Sequence, residues 1–167
     1  KSFQLASSVA VYGDGINLKE SYKVQPKSYY GLHKYMAELE LSKFSEINPS
    51  VICNSFRIFN TFGCGQDLND NKQGMVSIFV AMAVRDGVIK VKGPLNRLRS
   101  FVHVNDVRNA FIKGTNRIKG CKYEVINICT SESHSVGELV NKIREHTNCK
   151  IDVCETRTPL DQDKATG

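Results

Sequence analysis

Several residue types and patterns are scarce in this chain. It contains no tryptophan and only 4 prolines, and no apolar run approaches the roughly 20 residues that span a bilayer. The 6 cysteines form no C-x-x-C pair, and no histidine lies at zinc-finger spacing, so no metal site is expected. Because no signal peptide is visible either, we expect a cytoplasmic domain with reduced thiols and no membrane partner.

The charge balance is basic, with a formal net charge of +6 at pH 7. Such a charge can bind nucleic acid or a diphosphate, or it can belong to an ordinary solvated face. No aromatic side chains alternate with the basic ones, as stacking on single strands would require, so nucleic acid is not an expected partner. The positive side chains concentrate in one stretch: Arg85, Lys90, Lys92, Arg97 and Arg99.

Strand-like and helix-like segments alternate along the chain, which indicates an α/β fold. Ser28 is a suitable N-cap for one helix, and Ser135 with Glu138 forms a capping box for another. The predicted elements are strand Phe3–Val11, helix Tyr29 to about Ile47, strand Val51–Phe59, loop Asn60–Gly65, helix Gly74–Arg85, strands Val88–Val91 and Phe101–Val104, a helix from Asn105 or Asp106 to about Arg117, strand Tyr123–Ile128, a helix from Ser135 to about Thr147 and strand Ile151–Cys154.

A tyrosine and a lysine lie four residues apart in the first of these predicted helices. Tyr30 and Lys34 would share one helix face, and Ser8 near the end of the first strand could reach the same phenol. A free phenol ionises only near pH ~10, and a neighbouring ammonium favours the phenolate. The three side chains therefore suggest a proton-transfer unit. The spacing alone is weak evidence, since roughly half a Tyr-x-x-x-Lys match is expected by chance. The alternative is a tyrosine and a lysine that simply face solvent.

Four segments occur in an order that resembles one known family. They are Ser7–Gly13, Ser28–Lys34, Phe56–Gly63 and Arg99–Val107. Together they resemble the NAD-dependent epimerase/dehydratase family, the extended short-chain dehydrogenases that act on nucleotide sugars. The likeness is greatest to UDP-sugar 4-epimerases and covers nearly the whole chain.

The resemblance implies the C-terminal part of a Rossmann-like parallel sheet plus a smaller mixed α/β substrate-binding lobe. Residues 1–65 would end the NAD-binding domain and carry the Ser/Tyr/Lys triad. Residues 66–167 would form mainly the nucleotide-sugar-binding lobe, with some strands and helices returning to the sheet.

The family's glycine-rich phosphate loop is missing from this chain. Leu18 and Leu68 stand where the third glycine would follow Gly13-x-Gly15 and Gly63-x-Gly65. The family pattern would place the loop before Lys1. We therefore expect the C-terminal portion of a larger enzyme, unstable and inactive by itself.

The resemblance implies C4 epimerisation of a nucleotide-diphospho-sugar through a 4-keto intermediate, with NAD rather than NADP as cofactor. Tyr30 would be the base and acid, Lys34 its activating cation, and Ser8 a hydrogen-bond donor to the sugar. It also implies a homodimer that pairs through the helix containing Tyr30. The implied cofactor-binding residues are Tyr30, Lys34, Ser7 and Phe59, and the implied substrate-binding residues are Ser8, Asn60, Arg99, Val91 and Arg157. Asn60 could instead be a turn residue, and Arg99 a surface charge.

The two residues that follow Ser8 bear on the type of reaction. The family's 4,6-dehydratases carry an Asp-Glu pair there, and its UDP-glucuronate decarboxylases carry a Glu. Val9 and Ala10 occupy these places here, and neither can move a proton. Epimerisation or keto reduction therefore remains. The alternatives to an epimerase are a nucleotide-sugar keto-reductase and a non-catalytic nucleotide-sugar binding fragment.

Overall fold

The computed structural model describes residues 1–70, 74–115, 123–154 and 164–167. Helices alternate with strands that pair mainly in parallel, which confirms the predicted α/β class. The helices of the described part are α1 (Tyr29–Ile47), α2 (Met75–Asp86), α3 (Val104–Thr115) and α4 (Val136–Thr147). Its strands are β1 (Ser2–Ser8), β2 (Ile52–Ile58), β3 (Asn60–Phe62), β4 (Val88–Lys92), β5 (Leu98–Arg99), β6 (Phe101–His103), β7 (Tyr123–Ile128), β8 (His134–Ser135), β9 (Lys150–Cys154) and β10 (Lys164–Ala165).

The main sheet has three parallel strands in the order β1-β2-β7. Phe56 of β2 lies under α3, with its ring 4.7 Å from that of Phe111. The next residue, Arg57, contacts Glu38 of α1. Because successive strand side chains point to opposite faces, α1 and α3 cover opposite faces of the sheet.

A second core lies between α2, α4 and the parallel pair β4-β9. Phe79, Ile89, Val91 and Val140 are buried there. In the remaining sheets, β5 pairs with β8 antiparallel and with β10 parallel, and β3 pairs with β6. The main sheet takes β7 from the second half of the chain, and the proposed domain boundary at residue 65 stays a prediction.

The first strand is shorter than predicted. It ends at Ser8, and Val9–Val11 form a 3-10 helix. The Ser8 hydroxyl oxygen accepts a hydrogen bond of 3.2 Å from the Ala10 backbone N–H. This local side-chain bond competes with the strand ladder, so the chain turns where apolar composition alone predicted more strand.

Two further predictions of local structure are corrected. Asn60–Phe62 is strand β3, which pairs with β6, although its composition predicted a loop. Helix α3 begins at Val104, before the expected capping residues Asn105 and Asp106, and the predicted end near Arg117 lies outside the described residues. The two-residue strands β5, β8 and β10 were not predicted, because their partners are distant in sequence.

The described ranges contain no helix with the length and apolar character needed to cross a membrane. Five cysteines in these ranges, Cys53, Cys64, Cys129, Cys149 and Cys154, are free thiols.

Replacing Phe56 by alanine should lower the free energy of unfolding by about 3–5 kcal/mol, because it empties a core site. Phe56 is 1% exposed and packs against Phe111 and the backbone at Gly114. Urea denaturation of the intact gene product measures this loss. Val84→Ala is the control, since Val84 is exposed. Equal effects of the two substitutions would contradict the packing described here.

Candidate active site

Tyr30 and Lys34 lie together in the first turns of α1. The Lys34 Nζ atom is 5.6 Å from the centroid of the Tyr30 ring. The same Nζ donates a 2.8 Å hydrogen bond to the backbone carbonyl of Ala6 in β1. The ammonium is thus held between the helix and the sheet. Tyr30 is 56% exposed, so its phenol is accessible to a ligand.

Ser8 lies at the carboxyl end of β1, where the main chain turns away from the sheet. Its hydroxyl oxygen accepts the Ala10 N–H at 3.2 Å. A serine hydroxyl that accepts one hydrogen bond retains its own proton for donation. Ser8 can therefore hold its turn and still donate to a bound oxygen.

Gly31 brings the start of α1 close to the turn after Ser8. A Cβ atom at this buried residue would lie 2.5 Å from the Ala10 carbonyl oxygen and 3.1 Å from Pro26 Cβ. The Ser28 hydroxyl caps the helix by accepting the Gly31 N–H at 3.1 Å. A glycine beside Tyr30 therefore permits a contact that a larger residue would block.

A buried ion pair lies below these groups, between α1 and the main sheet. Arg57 of β2 donates from Nη2 to Glu38 of α1 at 2.6 Å and from Nε to both Glu38 carboxylate oxygens at 3.0 and 3.2 Å. Ser7 donates its hydroxyl to the same carboxylate at 2.5 Å. The side chains of Arg57 and Glu38 are 4% and 3% exposed. We call these three residues, with Tyr12, the buried network.

Tyr12 extends the network from Arg57 to Asn127 of β7. Its ring lies 4.6 Å from Arg57 Cζ, and its hydroxyl donates to Asn127 Oδ1 at 2.8 Å. Burial opposes the charge of Arg57, but its contacts with Glu38 and Tyr12 outweigh burial and raise the pKa of the guanidinium. Burial also raises the pKa of Tyr12, against the opposing effect of Arg57. At neutral pH the network therefore holds a charged guanidinium and a neutral phenol.

Sequence reasoning missed this network, although it contained a signal. Arg57 is a charged residue within a segment predicted to be a buried strand, and buried charges require partners. Glu38 lies one helical turn after Lys34, on the same side of α1. The buried position of Arg57 therefore predicted that an acidic partner exists, whereas its identity as Glu38 depended on how α1 packs against the sheet.

The structure places Ser7 and Phe59, the other predicted cofactor contacts, in the interior. The Ser7 side chain is directed at Glu38. Phe59 is 3% exposed and packs with Val9 and Val11. Neither side chain is presented at the surface as Tyr30 is, and their roles toward a cofactor stay predictions.

Asn60 and Arg99 are two predicted substrate residues, and Asn60 of β3 pairs with Phe101 of β6, two residues after Arg99. The Asn60 amide donates to the Ser100 carbonyl at 3.1 Å, so Asn60 is part of a strand pair rather than a turn. Arg99 is 6% exposed, and its Nη1 donates to the Leu98 carbonyl at 2.7 Å. Arg99 is therefore not the surface charge that was the alternative interpretation.

The remaining predicted substrate residues differ in what the structure shows of them. Val91 is fully buried in the core between α2 and α4, so any contact with a nucleotide-sugar would come from the backbone of β4. Arg157 lies outside the described residues.

Two cavities of the described part lie away from Tyr30, Lys34 and Ser8. One of about 440 Å³ is lined by residues that include Phe62, Phe101 and His134. The other, of about 270 Å³, lies between β1 and α1 and is lined by residues that include Phe3 and Phe44. Neither cavity is lined by any of these three residues.

The profile of the NAD dependent epimerase/dehydratase family matches residues 1–129. The chain belongs to this family, and the predicted resemblance is confirmed.

Curated relatives with different activities match the chain at similar identity. A putative UDP-glucose 4-epimerase of Methanocaldococcus jannaschii is 30% identical over 141 residues, 83% of this chain and 44% of the relative. A dTDP-4-dehydro-6-deoxyglucose reductase of Escherichia coli is 31% identical over 147 residues, 87% of this chain and 45% of the relative. UDP-glucuronic acid decarboxylase 3 of Arabidopsis thaliana is 30% identical over 156 residues, 89% of this chain and 44% of the relative. The chain spans somewhat less than half the length of these relatives.

Solved structures share the fold over nearly the whole chain. The UDP-N-acetylglucosamine 4-epimerase of Methanobrevibacter ruminantium M1, in complex with UDP-N-acetylmuramic acid, superposes with a TM-score of 0.89 at 26% identity, covering 99% of this chain and 53% of that one. MoeE5, in complex with UDP-glucose and NAD, gives a TM-score of 0.87 at 26% identity, covering 99% and 55%. The arrangement of strands and helices is that of nucleotide-sugar enzymes.

Gly31→Ala should destabilise the protein by about 1–3 kcal/mol, because the added methyl group would meet the Ala10 carbonyl oxygen. Gly137→Ala is the matched control in the first turn of α4, where the nearest atom to an added Cβ is 3.3 Å away. Chemical denaturation of both variants measures the difference. The close contact at Gly31 would be refuted if its alanine variant were as stable as the Gly137 variant.

Proposed function

We propose that the intact gene product containing this chain interconverts C4 epimers of a nucleotide-diphospho-sugar, of the UDP-glucose or UDP-N-acetylglucosamine type, with NAD as cofactor. One observation carries the proposal: an ammonium is held beside an accessible phenol, Lys34 beside Tyr30, at the strand end that bears Ser8. The family and the epimerases among the relatives support it.

The groups around Lys34 suit the binding of NAD. An ammonium has three donors, and the bond to the Ala6 carbonyl occupies one of them. The others can hold the hydroxyls of a ribose. We assign Tyr30, Lys34, Ser7 and Phe59 to the cofactor's surroundings. When bound, NAD supplies a reversible acceptor of hydride.

Proton transfer falls to the residues of this chain. The Tyr30 oxygen takes the proton of the C4 hydroxyl as the 4-keto sugar forms, and it returns that proton when the sugar is reduced on its other face. Lys34 places its positive charge beside this phenol, 5.6 Å from the ring centroid. Ser8 donates a hydrogen bond from its hydroxyl to the sugar oxygen. Asn60, Arg99, the backbone at Val91 and Arg157 bind the nucleotide-sugar, where the planar fork of an arginine suits phosphate oxygens.

The turn after Ser8 supports epimerisation over elimination or decarboxylation. Val9 is 7% exposed and packs in the core with Val11, while Ala10 places its carbonyl against Gly31. Neither side chain can act as an acid or a base. A reaction that needs a further proton-transfer group near C5 or C6 therefore lacks one at these positions.

A keto-reductase is the second candidate, and the 31% identity to the dTDP-4-dehydro-6-deoxyglucose reductase favours it. The two activities use the same proton-transfer unit but differ in the fate of the reduced cofactor. A reductase would consume NADH or NADPH with a keto sugar and form no C4 epimer. A binding fragment without catalysis would bind UDP-sugar and show neither activity.

The test incubates the intact gene product with NAD and either UDP-glucose or UDP-N-acetylglucosamine. Appearance of UDP-galactose or UDP-N-acetylgalactosamine, detected by NMR, is the expected result. If the protein instead oxidises NADPH stoichiometrically with a keto sugar and forms no epimer, it is a reductase and not an epimerase.

Tyr30→Phe should lower kcat about 10²–10⁴-fold, because it removes the proton-transfer group and little else. Affinity for the UDP-sugar should be nearly unchanged, as calorimetry would show. Tyr29→Phe is the matched control, since Tyr29 is the adjacent residue and is 81% exposed. Unchanged turnover in the Tyr30 variant would overturn the mechanism.

We further propose that two copies pair through α1. Leu32, Met36 and Leu39 are exposed at helical spacing along this helix, which is a suitable apolar stripe for a second helix. Met36→Lys should shift the intact gene product from dimer to monomer in sedimentation velocity, because it places a charge in that stripe. A dimer of undiminished stability would place the interface elsewhere.

A further inference from the structure

We infer that Glu38 and Arg57 are positioning residues, which fix α1 and its Tyr30 and Lys34 in register with the strand end at Ser8. The inference rests on the proposed function for its catalytic part. Neither side chain is accessible to a ligand, since both are nearly completely buried. Their effect must therefore pass through the groups that they hold.

The first support is the convergence of neighbouring elements on one carboxylate. Ser7 of β1 and Arg57 of β2 are paired residues in the parallel register. Both donate to Glu38 of α1. One buried carboxylate thus joins the helix that carries Tyr30 and Lys34 to the residue directly before Ser8. A rotation or slide of α1 would break these bonds together.

The second support is that Arg57 also holds the turn that follows Ser8. Tyr12, which ends the 3-10 helix Val9–Val11, lies with its ring over the guanidinium. Its hydroxyl is fixed in turn by Asn127 of β7. Arg57 Nη1 donates to the Glu20 carbonyl at 3.4 Å. The residues on both sides of Ser8 are therefore tied to the same ion pair.

The third support is the directionality of the contacts. An apolar pair could fill the same volume, and such replacements of buried ion pairs are often neutral or stabilising. Dispersion contacts, however, do not fix orientation, whereas a bidentate guanidinium–carboxylate pair sets both distance and angle. The expected effect of the pair is therefore on the placement of the reactive groups, separable from its effect on stability.

The decisive variant is Glu38→Met with Arg57→Met in the intact gene product, because it removes both charges and leaves none unpaired. Glu38→Gln alone is the second variant, with Arg57 retained. Glu46→Gln is the matched control on the same helix, since the Lys43–Glu46 pair is exposed. Val140→Ala, in the separate core between α2 and α4, is the control for a loss of stability that leaves the Glu38–Arg57 pair in place.

In the double variant, kcat should fall at least about tenfold while KM changes less than about twofold, because binding groups remain and the reactive ones are misplaced. Glu38→Gln should show the same changes in kcat and KM under conditions in which it is folded. Glu46→Gln and Val140→Ala should keep kcat within about twofold at temperatures where they are folded. A folded double variant with the kcat of the natural protein would overturn the inference.

Amide hydrogen exchange gives a readout that does not depend on activity. In the double variant, exchange in residues 9–13 and 28–34 should be at least about tenfold faster, while β4 and β9 are unchanged. Exchange that is unchanged in these two segments, or faster throughout the protein, would refute positioning. Absence of turnover in the natural protein would refute the proposed function alone, and this exchange result would still decide the role of the pair.

Discussion

A buried carboxylate shared by an arginine and a serine is the constraint on which the arrangement of this protein depends. Glu38 accepts from Arg57 and Ser7 in a part of the molecule from which solvent is nearly excluded. An ion removed from water is tolerated only when its partners are correctly placed. The positions of α1, β1 and β2 are therefore coupled, and the coupling extends through Tyr12 to β7.

The groups proposed to transfer the proton lie at the accessible end of the same elements. Tyr30 is exposed, Lys34 is anchored to a strand carbonyl, and Ser8 ends that strand. This arrangement suits the proposed proton transfer, since the phenol must meet a ligand while its neighbours keep their positions. Gly31 completes the arrangement by letting the helix approach the turn.

Membership of the epimerase/dehydratase family does not by itself define the reaction. Relatives at about the same identity carry epimerase, reductase and decarboxylase names. A phenol, an ammonium and a hydroxyl could serve any step that oxidises or reduces a carbinol. What separates these reactions is the presence of additional acids or bases. The apolar pair Val9 and Ala10 is therefore more informative about the reaction than the fold is.

Features decided by neighbours along the chain could be predicted from the sequence. The bounds of α1, its Ser28 cap, the capping box of α4 and the left-handed Gly87 follow from residues within a turn of one another, and so does the shared face of Tyr30 and Lys34. Contacts between distant segments could not be predicted. The pairing of β3 with β6 joins two such segments. The burial of Ser7 and Arg57 was decided only when α1, β1 and β2 packed together, since a charged side chain finds its partner through tertiary structure and not through spacing.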